Sequence, residues 1–249
     1  MVCLGDSWTW GDSLGDTFCQ DKKYNTEYRT SVFFGTILSK LLDSDLVNLA
    51  KPAASNWHIY NNLKNFLADF PLNNYKKIVC VITLTENFRE LEDPTSWPVR
   101  DFSKECNSLH DLIVDYEQRM FSAFKELFDC YPAIDFRVGR NFTYTRPENI
   151  SILPHLDKTW VDIIGLAQNI ESYNRNTVAL SDLGIYPLLQ YLRDNNLEKQ
   201  YLEELDQLVT KSLDAISWLE KSKLNKQSGT KHPTEEAHRL WAEYIYSQL

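Results

Sequence analysis

The chain has 249 residues, 43% of them hydrophobic, which suffices for one large α/β domain spanning 1–249 and does not force a second. Its 35 Asp and Glu against 26 Lys and Arg give a formal charge of −9. That charge repels a phosphate backbone, and the basic residues are scattered rather than striped, so nucleic acid is excluded as a first-choice partner.

Val2-Cys3-Leu4 is a short apolar run that stops at Gly5-Asp6-Ser7, the pattern of a buried strand ending in a tight turn. Between Ser31 and Leu42 the apolar residues Val32, Phe33, Ile37, Leu38, Leu41 and Leu42 share one helical face, and Leu46 to Leu49 then predicts a second strand. Trp57, Tyr60, Leu63 and Leu67 return to helical spacing. Ile78 to Ile82 is the strongest strand signal, an uninterrupted apolar run suited to a central parallel strand covered on both faces. Leu109, Leu112, Ile113, Tyr116, Met120, Phe124, Leu127 and Phe128 predict a long amphipathic helix that ends before Pro132.

Ile134 to Val138 predicts a fourth strand and Trp160 to Ile164 a weaker fifth, and the stretch 181–224 is patterned as a mainly helical wall. A final helix is expected from Thr234, whose hydroxyl can cap it while Glu235 and Glu236 favour the dipole. Strands alternating with helices imply a three-layer α/β/α sandwich with a mostly parallel, flavodoxin-like central sheet, in which ligands sit beyond the carboxyl ends of the strands.

The five cysteines, Cys3, Cys19, Cys80, Cys106 and Cys130, are odd in number and form no CxxC pair, which points to reduced structural thiols. No basic region followed by an apolar run opens the chain, and no segment approaches the roughly 18 to 20 apolar residues of a spanning helix. A soluble, cytoplasmic protein without a membrane partner is the expectation. Asn141 and Asn149 match the glycosylation pattern, a use that a protein without a secretory route does not make.

Four blocks carry the candidate chemistry. Gly5-Asp6-Ser7-Trp8-Thr9-Trp10-Gly11 directly follows the first strand, and the literal Gly11-Asp12-Ser13-Leu14 after it follows no strand. Asn48-Leu49-Ala50-Lys51-Pro52-Ala53-Ala54-Ser55-Asn56 follows the second, and Thr83-Leu84-Thr85-Glu86-Asn87 follows the central one. Lys231-His232-Pro233-Thr234 precedes the last helix.

In this order the blocks resemble those of the SGNH/GDSL serine hydrolases. The resemblance implies Ser7 as nucleophile, His232 as its base, and an oxyanion hole made by the Ser7 and Ala53 amides with the Asn87 side chain. It implies no metal and no cofactor, and a small-molecule or glycan ester, such as an O-acetylated sugar, as substrate. His58, His110, His155 and His238 are read as structural.

Three departures from the family pattern matter. Alanine stands where the second block has a glycine, which keeps the amide and narrows φ. The third block keeps only its asparagine. Gly229 stands where an aspartate usually precedes the histidine by three residues, and Thr230 supplies no acid either. Removing the orienting aspartate of a serine-protease triad costs about 10⁴ in kcat. A backbone carbonyl orients His232, an acid arrives from another loop, or the fold survives as a catalytically inactive glycan-binding or structural protein. A nucleotide-binding flavodoxin-like domain shares the layering, but the chain has neither a G-x-G-x-x-G turn nor a GxxxxGK[ST] loop.

Overall fold

A computed structural model describes residues 1–11, 14, 26–52, 54–85, 109–140, 152–157 and 235–249, with backbone alone at 26 and 109–113. Four strands form one parallel sheet in the order β2-β1-β3-β4: β1 (Val2–Leu4), β2 (Val47–Asn48), β3 (Ile78–Leu84) and β4 (Ile134–Arg140). The order 2-1-3-4 places a topological switch point between β1 and β3, where the chain stops adding strands on one side and begins on the other.

Alternation along the strands divides the core into two faces. Val2 and Leu4 of β1 join Ile78, Cys80, Ile82 and Leu84 of β3 on one face, covered by α4 (Asn56–Asp69) and α5 (Leu109–Asp129). Cys3, Val79 and Val81 occupy the other, covered by α3 (Phe34–Leu41) and the terminal α6 (Glu235–Ser247). The expected three-layer α/β/α arrangement is therefore the observed one. Trp241 of α6 is buried against Trp8 and Phe34, with ring centroids 6.1 and 5.5 Å away.

The helix expected over 31–42 is two helices. α2 (Thr26–Val32) ends and α3 begins across Phe33, whose ψ of 156° is extended. Phe33 offers no side-chain cap, so the first α3 amide, Phe34 N–H, instead donates to His238 Nδ1 of α6 at 3.2 Å. The second strand is shorter than the expected 46–49. β3 runs two residues past Ile82, and β4 two past Val138, because Arg140 can stay buried through an ion pair with Glu117 of α5, at 2.6 Å.

Beyond β4 the segment 152–157 adds one parallel bridge, Val138 to Leu156. The expected fifth strand at 160–164 and the helical wall at 181–224 lie outside the described residues.

Cys3, Cys80 and Cys130 are free thiols, while Cys19 and Cys106 lie outside the described residues. Burial pushes the Cys80 thiol up to about 12, and that of Cys3 further in the same direction. Among the described residues no helix is long and apolar enough to cross a membrane.

Candidate functional site at the switch point

Asp6 and Ser7 stand at the carboxyl end of β1. Asp6 is the N-cap of α1 (Ser7–Trp10), with extended φ and ψ of −93° and −152°, and its Oδ1 accepts from Trp8 N–H at 3.0 Å. Ser7 is therefore the first residue of a one-turn helix, buried, beside the switch point. The placement follows from the sequence: an apolar strand runs into a small residue, a capping acid and a hydroxyl.

Two glycines make this tight turn fit. A Cβ on Gly5 would lie 2.1 Å from Thr9 Oγ1 and 2.6 Å from Thr9 Cβ. Gly11 closes α1 at φ 80°, and its N–H returns to the Ser7 and Trp8 carbonyls, which is the left-handed cap that favours glycine. Arg29 of α2 holds the same end. Its guanidinium lies 3.4 Å from the Trp10 ring centroid and donates to the Trp10 carbonyl, placing a cation at the helix C-terminus.

A second set of residues links this turn to the neighbouring elements. The Asp6 carboxylate is almost fully buried, and its Oδ2 accepts from the Thr85 hydroxyl at 2.8 Å, across the gap between the ends of β1 and β3. Thr85 is clamped in turn by Asn56, the first residue of α4. Thr85 N–H donates to Asn56 Oδ1 at 2.8 Å, and Asn56 Nδ2 donates to the Thr85 carbonyl at 3.1 Å. Ser55 caps α4 by accepting from His58 N–H, and its hydroxyl contacts His58 Nδ1 at 2.9 Å.

The chain after β2 stays in line with β1, since Lys51 N–H donates to the Gly5 carbonyl at 3.0 Å. The elements thus converge on the turn at Gly5 and Asp6: β3 through Thr85 on Asp6, and the β2–α4 connection through Lys51 on Gly5 and Asn56 on Thr85.

Of the residues expected to carry chemistry, Ser7 is the one the structure describes. Ala53, Asn87 and His232 lie outside the described residues. Asn56 and Thr85 belong to the second and third sequence blocks, and the contacts that give them a role run between elements distant in sequence. The available signal was that each is a small polar residue at the end of an apolar strand or the start of a helix. Glu117 and Arg140 gave no such signal.

Of the remaining histidines, His238 is buried in α6 and His155 packs edge-on against Phe128, with ring centroids 5.0 Å apart. Burial holds the His155 imidazole below its ordinary value. Among the described residues no group of three or more His, Cys, Asp or Glu side chains is arranged to hold a metal ion.

The sequence matches no protein-family model, and no curated protein matches it. Among solved structures, the chain is similar to a carbohydrate esterase whose active site displays divergent catalytic and non-catalytic binding functions, at 14% identity and a TM-score of 0.48. It is also similar to the Corynascus thermopiles (Myceliophthora fergusii) carbohydrate esterase family 2 enzyme with its carbohydrate-binding domain, at 12% identity and a TM-score of 0.45. Each alignment covers 99% of this chain but 66% and 64%, respectively, of the other, so the chain spans about two thirds of their length.

Proposed function

We propose that the chain is a serine ester hydrolase of the SGNH/GDSL kind, acting on a small or carbohydrate-linked ester such as an O-acetyl group. The observation that carries this reading is the position of Ser7: first residue of a short capped helix, at the carboxyl end of β1, beside the switch point of a parallel sheet.

In the proposed reaction Ser7 Oγ attacks the ester carbonyl while His232 takes the hydroxyl proton. The Ser7 and Ala53 amides and the Asn87 side chain receive the oxyanion, where a single such donor is worth about 2.7–4 kcal/mol in the transition state. Collapse of the tetrahedral intermediate breaks the ester C–O bond, and His232 returns its proton to the departing alcohol. Water, deprotonated by His232, then releases the acid and regenerates Ser7. The dyad and the oxyanion donors are carried by the sequence blocks that resemble the family.

Gly229 in the place of the usual aspartate favours a second reading, a non-catalytic glycan-binding protein that keeps the fold. One experiment separates the two. A fluorophosphonate is expected to label the wild-type protein at Ser7 and leave Ser7→Ala unlabelled, and Ser7→Ala is expected to lose release of p-nitrophenol from its acetate ester. Full labelling of the variant would overturn the assignment of the nucleophile. A wild-type protein that neither labels nor turns over any ester, yet binds a glycan, establishes the second reading.

A further inference from the structure

We infer that Thr85 and Asn56 are positioning residues for Ser7, holding the nucleophile's turn in register with the end of β3. The inference rests on Ser7 being the nucleophile.

The direction of the Ser7 side chain follows from the backbone at residues 6 and 7 and from the axis of α1. A helix of four residues has too few internal bonds to fix its own axis, because helix nucleation is unfavourable until several turns have formed. The axis is set from outside, by the Gly11 cap and Arg29 at its carboxyl end and through Asp6 at its amino end. One carboxylate oxygen of Asp6 reaches inward to Trp8 N–H, and the other reaches across the switch point to the Thr85 hydroxyl.

Thr85 suits that task because Asn56 holds its backbone at both N–H and carbonyl, so the hydroxyl is presented from a fixed point. Asp6, Asn56 and Thr85 are each no more than 1% exposed, where a hydrogen bond is least open to replacement by water. Without the Thr85 hydroxyl, the Asp6 carboxylate loses a contact across the switch point that opposes its rotation, and the start of α1 gains freedom to shift. A nucleophile misplaced by about 1 Å can cost on the order of 100-fold in rate.

Thr85→Val removes the hydroxyl and keeps the branched shape. The test follows covalent labelling at Ser7 by a fluorophosphonate over time, at several probe concentrations. The maximal labelling rate constant is expected to fall about tenfold or more while the concentration for half-maximal rate stays within about twofold, the signature of lost alignment rather than lost binding. Thr85→Ser, which restores the hydroxyl, is expected to recover the wild-type rate to within about threefold. A role in folding alone lowers the fraction of protein that labels, leaving the rate constant of the labelled fraction unchanged.

Wild-type labelling at Ser7 with an unaltered rate constant in Thr85→Val overturns the positioning role and leaves the nucleophile in place. Absence of labelling in the wild type removes the nucleophile, and this inference with it. Should Thr85→Val not fold, Thr85→Ala carries the same measurement.

Discussion

Replacing Asn56 with alanine removes two buried hydrogen bonds at once, to Thr85 N–H and to the Thr85 carbonyl, at 2.8 and 3.1 Å. Neither backbone group of Thr85 lies near water, since the residue is 0% exposed, and an abandoned buried donor or acceptor costs about 1–3 kcal/mol. Two such groups give roughly 2–6 kcal/mol, from which the better helix propensity of alanine subtracts about 0.7 kcal/mol. A net loss of about 1–5 kcal/mol is expected by urea unfolding with an unchanged m-value.

Asn56→Asp sharpens the test. It keeps an acceptor for Thr85 N–H but turns a second acceptor toward the Thr85 carbonyl, so the charged carboxylate is disfavoured in the folded state and its folded pKa rises above the unfolded value. A raised carboxylate pKa makes stability fall as pH rises through the window between the two values, and recover as pH falls. The deficit of Asn56→Asp against wild type should therefore shrink on going from about pH 7 to about pH 4, where a protonated carboxyl donates to the carbonyl as the amide did. A cost below about 0.5 kcal/mol for Asn56→Ala, or a deficit of Asn56→Asp that ignores pH, would refute the clamp.

Glu117→Gln is expected to cost about 3–5 kcal/mol by the same assay, because it removes the carboxylate charge that pairs with the Arg140 guanidinium, which is 2% exposed. Methionine at both positions should recover most of that loss, and a double variant no more stable than the single one would show that the charge pair is not the source of the cost. For His155, burial holds the folded imidazole below its ordinary value of 6.5, so below that value the unfolded chain takes up a proton that the folded chain resists. Its contribution is fully present above about pH 7 and is lost as pH falls toward the lowered folded value. The urea midpoint of wild type should fall more steeply than that of His155→Gln between about pH 7 and pH 5, and parallel slopes would refute the assignment.

The parts of the fold legible in the sequence are those set by local pattern. Val2 to Leu4 before Gly5-Asp6-Ser7, the apolar run from Ile78, and the long face from Leu109 to Phe128 each declare their element without reference to the rest of the chain. The break at Phe33 was hidden because apolar residues continue through it, and both Phe33 and Phe34 are buried on the same side. What satisfies the break is an imidazole 204 residues later.

β4 runs on to Arg140, beyond the apolar pattern that ends at Val138, because the carboxylate that accompanies Arg140 belongs to α5. The site divides similarly. Ser7 was legible from its place after β1, whereas the Asp6, Thr85 and Asn56 contacts depend on strand order, which no local pattern contains.

The bond from Phe34 N–H to His238 also has a consequence for how the chain is made. Ala237, Trp241, Ala242 and Ile245 complete the face that Cys3, Val79 and Val81 present. At about 5–20 residues per second, the ribosome delivers α6 on the order of ten seconds after β3 has emerged. Through that interval this face lacks Trp241 and its neighbours, and α3 lacks the ring that receives its first amide. The arrival of α6 thus closes a face that β1 and β3 began to form long before it.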